Sequence, residues 1–179
     1  MTFDGAPARL LENNSSTRLT VLVPDSVAGH QSSLVVVNVD GVSSTPGLKV
    51  PIAISAPVIF ASLIQNSDSS HNSPDNPAVT GSTIQVLASG LPASGVYTGQ
   101  IHDRVIDGTQ MSYIGPAPGL IGVQMMAMVV PVDLPTMTTG VFVCGGASAD
   151  AMTCSDSVDL TIVTAGSVDP PDSGAVGGN

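Results

Sequence analysis

Short runs of β-branched and other apolar residues recur along the whole chain, and glycine or proline separates each run from the next. The 179 residues include 19 glycines and 14 prolines, whereas glutamate and lysine, which favour helices, occur once each, at Glu12 and Lys49. No segment has a convincing 3.6-residue period. Because β-branched residues suit a pleated surface and glycine and proline suit turns, the sequence predicts an all-β fold of many short strands.

Eight of these runs are predicted to be strands, namely residues 19–23, 34–39, 48–54, 58–63, 83–88, 121–130, 141–144 and 158–163. The dipeptide Asp40-Gly41 after the second run favours a tight hairpin. Pro51, inside the third run, cannot donate a ladder hydrogen bond and therefore indicates a sheet edge or a bulge. Residues 65–81 are polar and rich in turn formers, so they predict a long surface loop.

The chain also contains an internal repeat. A Val-Pro pair ending at Pro24 recurs at Pro131, and a predicted strand begins ten residues after each proline, at Leu34 and at Val141. The spacing between the two prolines is that of one sandwich domain. The sequence therefore predicts two tandem copies of one β-domain.

The two copies are predicted to be unequal. Residues 55–164 form a complete sandwich, whereas residues 1–54 form a partial one that lacks the first strands and has nothing like the segment at 77–91. A half-sandwich leaves its inner face open to water. We therefore expect that the chain is cut from a larger protein or that strands from elsewhere complete the first copy. Residues 165–179, rich in Gly, Pro and Asp, are predicted to be a flexible tail or linker.

Five segments carry a family resemblance: FDGAPARLL at 3–11, LTVLVP at 19–24, VVVNVDGVSS at 35–44, NSPDNPAVTGSTIQVLASGL at 72–91 and IGPAPGLIGVQMMAMVVP at 114–131. In order and spacing, over residues 3 to about 163, they resemble the C-terminal Ig-like domains of Acidobacteria called the "Solibacter uncharacterised" family. The NPAxxGSxxxxxAxGL pattern is the most specific, and the APGLxGxxQ-like pattern departs slightly at residues 122–124. The resemblance implies tandem Ig-like β-sandwiches of secreted or surface-anchored proteins, and it implies no activity.

Charge and composition exclude several classes of partner. The net charge is −10 with only four Lys and Arg residues, which argues against nucleic acid and against anionic membranes. The longest apolar run, near residues 120–132, is too short to span a bilayer. The surface is expected to be rich in Ser, Thr, Asn and Asp, which is typical of extracellular or cell-surface proteins. The expected partners are other copies of the chain or neighbouring Ig-like domains.

Cys144 and Cys154 are the only cysteines, and they flank the loop GGASADAMT between two predicted strands. A hairpin disulfide is the leading interpretation, worth roughly 2–3 kcal/mol in the chain-entropy model. It fits an oxidising compartment, and the alternative is two free thiols. No histidine or further cysteine completes a metal-ligand set beside them.

Asp68, Asp75 and Asn76 in the long loop are weak candidates for calcium ligands, because Ca²⁺ binds carboxylate and amide oxygens. Their spacing fits no EF-hand. Aspartate and asparagine also form turns through bonds from side chain to backbone, and this interpretation is favoured.

The remaining motifs have simpler interpretations. His102-Asp103 suggests a catalytic dyad, but no GxSxG elbow supplies a nucleophile, so surface polar residues are favoured. The methionines at 125, 126 and 128 suggest thioether copper ligands, and core packing is favoured instead. Residues 13–16, Asn-Asn-Ser-Ser, contain two overlapping glycosylation sequons or form a polar turn.

These observations predict a non-catalytic extracellular structural or adhesion module of tandem Ig-like domains. The open first copy suggests assembly by strand complementation into oligomers or filaments. No catalytic residue, cofactor or bound metal is expected. The alternative is a carbohydrate- or ligand-binding accessory domain of a larger secreted protein, although the chain has no Trp and few aromatic residues for stacking on sugars.

Overall fold

The chain is an all-β protein in the computed structural model, which describes residues 1–11, 15, 17–92 and 94–166. Its antiparallel sheets pack together in the manner of a β-sandwich, and the all-β prediction is confirmed. The helical turns among the described residues are single turns of 3₁₀ helix. Across that part of the chain, no helix has the length and apolar character needed to cross a membrane.

We call residues 55–166 the C-terminal sandwich. Its strands, numbered after the eight of the preceding segment, are β9 (Val58–Ile59), β10 (Ala78–Val79), β11 (Thr83–Ser89), β12 (Val96–Ile101), β13 (Arg104–Ile106), β14 (Met111–Pro116), β15 (Gln124–Val129), β16 (Met137–Gly146), β17 (Met152–Cys154) and β18 (Val158–Val163). One sheet has the order β10-β18-β16-β12-β13, with β17 also paired to β16, and the other has the order β14-β15-β11-β9.

Both sheets of the C-terminal sandwich contribute to one apolar core. The inward-facing residues alternate along each strand, as the period of two requires. Ile84 and Val86 on β11 meet Met126 and Met128 on β15, and the facing sheet adds residues such as Val141. All five side chains are fully buried.

We call residues 1–54 the N-terminal segment. Its strands are β1 (Thr2–Phe3), β2 (Ala6–Pro7), β3 (Arg9–Leu10), β4 (Val21–Leu22), β5 (Ser32–Val36), β6 (Asn38–Val39), β7 (Val42–Ser43) and β8 (Leu48–Pro51). One sheet has the order β2-β1-β5-β8, and β3-β4 and β6-β7 form separate hairpins. Among its described residues, the core cluster contains three buried side chains, those of Phe3, Val27 and Val35.

Two short-range predictions for the N-terminal segment are confirmed. Asp40 and Gly41 form the two-residue turn between β6 and β7, and both have positive φ, as a type I′ hairpin turn requires. Pro51 is the last residue of β8, which is the edge strand of its sheet.

The N-terminal segment repeats the pairing scheme of the C-terminal sandwich. Strands β2, β1, β5 and β8 are adjacent in the same order as β13, β12, β16 and β18. The amide of Asp4, directly after β1, donates to the Leu34 carbonyl at 2.9 Å; the amide of His102, directly after β12, donates to the Gly140 carbonyl at 3.0 Å. Strands β3 and β4 likewise pair as β14 and β15 do.

This register corrects the sequence alignment of the repeat. Leu34 is equivalent to Gly140, and Val35 is equivalent to Val141. The expected match between Leu34 and Val141 is therefore wrong by one residue, because the connection after Pro24 is one residue longer than its counterpart.

Several predicted elements also differ from the structure. Residues 121–123 belong to a turn, and β15 begins only at Gln124. Strands β12, β13 and β14 were not predicted. Residues 65–81 do not lie wholly at the surface, since Asn66 and Ala78 are buried and β10 lies within this segment.

Candidate functional site

A groove lies in the N-terminal segment between the residues that precede β4 and the residues that follow β5. It encloses about 530 Å³ and has a mainly apolar floor; its lining residues are Met1, Ser15, Thr17, Arg18, Leu19, Val37 and Val39. We call it the β4 groove. The antiparallel pairing of β1 with β5 places the residues at 1 and 37 on the same side of the segment.

Apolar positions in and beside this groove are core positions in the C-terminal sandwich. Counted back from the two equivalent prolines, Leu19 corresponds to Met126 and Val23 to Val130. Leu19 is 42% exposed and Val23 is 44% exposed, whereas Met126 and Val130 are fully buried. Leu19 in the β4 groove and Val23 directly after β4 are therefore exposed, whereas their counterparts are core residues of the C-terminal sandwich.

The strand that lies beside Met126 in the C-terminal sandwich is β11. In the C-terminal sandwich, β15 pairs with β14 along one edge and with β11 along the other. In the N-terminal segment, β4 pairs with β3, and no strand of the described residues pairs with its other edge. A strand edge beside an apolar floor is the arrangement by which proteins bind extended peptides.

A tight turn closes one end of the β4 groove. The Ser15 amide donates to the Arg18 carbonyl at 2.8 Å, and the Arg18 amide donates back to the Ser15 carbonyl at 3.4 Å. Arg18 is one of only four basic residues in an acidic chain. It gives this end of the groove a positive charge.

The two cysteines lie directly opposite each other on β16 and β17 and form a disulfide. Cys144 is buried and Cys154 is exposed. The bond is thus a cross-strand link within a hairpin, as the sequence predicts. It fixes β17, which pairs with β16 through only three residue pairs.

The calcium candidates form turns in the structure. The hydroxyl and the amide of Ser70 donate to Asp68 and hold the pKa of this carboxyl below its usual value. The Asn76 side chain donates to Ser70 Oγ at 2.6 Å and to the His71 carbonyl at 3.0 Å. Asp75 lies in the turn that Ser73 and Asn76 close. The described residues contain no group of three or more His, Cys, Asp or Glu side chains placed to hold a metal ion.

The adjacent His102 and Asp103 make separate contacts. His102 Nε2 is 3.9 Å from Asp103 Oδ1, and its Nδ1 is 3.1 Å from the Thr139 hydroxyl. Asp103 instead accepts from Arg104 at 2.8 Å. Arg104 also donates to Asp133 at 2.7 Å, and this hydrogen bond lowers the pKa of Asp133. The two residues thus belong to the polar surface around the β12–β13 turn.

A second cavity, of about 490 Å³, lies on the C-terminal sandwich between the long loop and β18. Its lining includes hydroxyl, amide and carboxyl groups from Asn72, Ser157 and Asp159. The side-chain amide of Asn72 already has two partners. Its Nδ2 donates to the Thr161 carbonyl at 2.8 Å, and its Oδ1 accepts from the Thr161 backbone amide at 2.9 Å. Asn72 therefore anchors the loop to the strand.

The other motifs have simple placements. Met126 and Met128 belong to the buried core, which is the interpretation that the sequence favours. Asn13 and Asn14 of the two sequons lie outside the described residues. So does most of the predicted tail, residues 167–179.

No family model, curated protein or solved structure matches this chain.

The β4 groove is the part of the site that residue-type motifs missed. Its floor contains ordinary apolar residues, and nothing in their identity distinguishes them from core. The signal lies in the repeat: the apolar positions around β4 recur in a second copy that also has the strand covering them.

Proposed function

We propose that the chain is a non-catalytic structural or adhesion module of the cell exterior, built from Ig-like sandwiches in tandem. One observation carries the proposal: the N-terminal segment and the C-terminal sandwich share the same strand order and the same pairing register. In repeat proteins each unit contacts mainly its neighbours, so a chain of repeated sandwiches suits a structural role.

The topology of the C-terminal sandwich supports an Ig-like assignment. The order β9-β11-β15-β14 corresponds to the A-B-E-D sheet of immunoglobulin domains, and β18-β16-β12 corresponds to the G-F-C strands of the facing sheet. The pattern at residues 72–91 supports a place in the acidobacterial Ig-like family that it resembles. In this family assignment, the module would be secreted or surface-anchored.

The disulfide between Cys144 and Cys154 supports a location outside the cytoplasm, because such bonds persist in oxidising compartments. The test is antibody labelling of intact cells of the source organism, with and without external protease, using a cytoplasmic protein as the control. We expect labelling of intact cells that protease removes. Labelling that requires lysis would overturn the proposal.

The carbohydrate- or ligand-binding alternative has one observation in its favour, the polar cavity beside Asn72 and Ser157. A glycan array probed with the whole chain tests it. We expect no saturable binding. Saturable binding that Ser157→Ala weakens would replace the structural proposal with a binding one.

A further inference from the structure

The β4 groove has a completed counterpart in the same chain, and this counterpart identifies what fills such a groove. In the C-terminal sandwich, β11 runs antiparallel to β15 along six consecutive residue pairs. Its Ile84 lies opposite Met128, and its Val86 lies opposite Met126. These four side chains are fully buried. The strand therefore supplies both backbone partners and the apolar cover of the core.

Within the described part of the chain, no strand pairs with the equivalent edge of β4 in the N-terminal segment. Val21 is equivalent to Met128 and Leu19 to Met126. A strand that pairs with β4 in the register of β11 would place alternate apolar residues opposite Val21 and Leu19. It would also close the space over Val37, whose equivalent Val143 is fully buried.

Among the strands that the structure describes, none is spare for this edge. β11 of a folded copy is held between β9 and β15. The terminal sequence AGSVDPPDSGAVGGN at 165–179 lacks alternating apolar residues and contains two adjacent prolines, which cannot donate ladder hydrogen bonds. The occupant therefore has to come from a polypeptide segment other than residues 1–179 of a folded copy.

We propose that the free edge of β4 binds one extended peptide strand of the β11 type, supplied by a neighbouring module of the same kind. The strand adds antiparallel to β4, and its inward apolar residues cover Leu19, Val21 and Val37. This inference rests on the proposed role as a module built from repeated sandwiches, and it names the partner of that module. Strand addition of this kind gains affinity from main-chain hydrogen bonds and specificity from the alternate side chains.

The first experiment tests the register by disulfide trapping. The full chain with Leu19→Cys is mixed with synthetic peptides of the sequence at 77–91, one carrying Val86→Cys and the other Gln85→Cys. Directly opposite residues of antiparallel strands lie within disulfide reach, so we expect rapid cross-linking with the Val86→Cys peptide. The Gln85→Cys peptide is the control, because that position faces the other side of the strand.

The second experiment measures affinity by fluorescence polarisation, with the unmodified full chain and a labelled peptide of the sequence at 77–91. We expect saturable binding of one peptide per chain. Leu19→Asp and Val37→Asp should each weaken it about tenfold or more, because each buries an unpaired charge. Leu34→Asp, on the opposite face of β5, should leave binding unchanged. Hydrogen exchange at residues 32–36 and 158–163 checks that each variant is folded.

Three results would overturn the inference. The first is that the unmodified chain shows no saturable binding of the peptide. The second is that both cysteine peptides cross-link equally. The third is that the chain self-associates without peptide and that Leu19→Asp abolishes this association, because a second copy would then be the occupant. None of these results bears on cell-surface exposure. Failure of the strand site and failure of the proposed function are therefore distinguishable.

Discussion

Val37 and Val143 occupy equivalent positions in the two copies of the repeat, but only Val143 is fully buried. Truncation of a buried valine removes favourable burial and leaves a cavity, whereas a half-exposed valine loses less. We expect Val143→Ala to lower the free energy of unfolding of its sandwich by about 2 kcal/mol or more. Val37→Ala should lower the free energy of unfolding of the N-terminal segment by less than about 1 kcal/mol. Urea unfolding followed by circular dichroism compares the two, and equal costs would contradict the assignment of Val37 to an uncovered face.

Gly90 is required by both its backbone conformation and its surroundings. Its φ is +75°, and a Cβ there would lie 2.0 Å from the Ala56 carbonyl oxygen. Gly119 has nearly the same φ, +74°, with no atom within 4 Å of the added Cβ.

We therefore expect Gly90→Ala to destabilise the C-terminal sandwich by clearly more than Gly119→Ala. Gly119→Ala is the control. It should lower the free energy of unfolding by about 1–2 kcal/mol, because a residue with a Cβ is strained in a left-handed conformation. Thermal unfolding of the two variants isolates the steric contribution. Equal shifts in Tm would show that the connection at Ala56 moves aside.

The stability of the N-terminal segment depends on pH through the carboxyl group of Asp4. The Leu34 amide donates to Asp4 Oδ1 at 2.8 Å and holds the pKa of this carboxyl below its ordinary value of 3.8; His30 Nδ1 lies 3.3 Å from Oδ2. Because the folded pKa is the lower one, the stabilisation is present above the ordinary pKa and is lost as the pH falls through the lowered pKa.

The Leu34 amide proton reports this titration in an NMR experiment. We expect its chemical shift to titrate with a midpoint below the ordinary aspartate range. Asp4→Asn keeps an acceptor oxygen and tolerates the positive φ at this position, so the shift should then be independent of acid. A midpoint at the ordinary value would mean that the bond does not hold in solution.

At the scale of single elements, the sequence predicts strands best where β-branched and other apolar residues recur within a short run. β11, β5 and β18 all fall within or across such runs, and the Asp-Gly dipeptide fixes the β6–β7 hairpin. β12 was missed because its sequence, VYTGQI, contains a glycine and two polar residues. Gly99 is needed there for packing, since an added Cβ would lie 2.5 Å from the Met128 methyl carbon. Such a requirement depends on a strand in the facing sheet and cannot be seen locally.

The long loop at 65–81 shows a similar limit. Its polar residues predict a surface position, but Asn66 is buried and donates to the Asn76 carbonyl at 2.9 Å. Asparagine amides here replace the backbone partners that an irregular buried segment lacks. The composition of the loop is the same whether its amides face water or backbone, so the sequence does not distinguish the two.

The β16–β17 hairpin depends on its disulfide. Replacement of both cysteines, Cys144→Ala with Cys154→Ala, should lower the free energy of opening the hairpin by about 2–3 kcal/mol, because the loop constraint is lost. The loss should be local, because β16 keeps its pairing with β12 and β18. We expect faster hydrogen exchange at residues 152–154 and unchanged exchange at 158–163. Faster exchange in both stretches would mean that the hairpin supports the whole sheet.

At the scale of the whole molecule, two apolar clusters of very different size lie in one chain. The C-terminal cluster contains buried side chains from both of its sheets, whereas the N-terminal cluster has three. A core this small contributes little stability by itself. We expect two unfolding transitions in a circular dichroism melt, the first confined to residues 1–54 by hydrogen exchange. A single cooperative transition would show that the two parts stabilise each other.

The candidate site could be predicted only in outline. The repeat shows that residues 1–54 contain no counterpart of residues 77–91, the segment that holds the strand covering the equivalent face in the second copy. The position of Leu19 follows from the spacing before Pro24, whereas that of Val37 depends on the register of β5. This register contains a one-residue difference after Pro24 that the sequence alignment placed wrongly. Repeats predict an architecture well, whereas a site needs the pairing of individual residues.

Pro51 on β8 and Thr161 on β18 are equivalent positions in the two copies, and in the C-terminal sandwich β10 also pairs with β18 at the neighbouring Ile162 and Val163. Proline has no N–H to offer there, and both backbone groups of Thr161 are occupied by the Asn72 amide. At this position neither copy offers a free backbone donor to a foreign strand, in the first copy because the N–H is missing and in the second because a side chain occupies the peptide groups. In the assembly proposed above, in which a strand adds to β4, these two positions would disfavour side-by-side growth beside β8 and β18 into a continuous cross-β sheet.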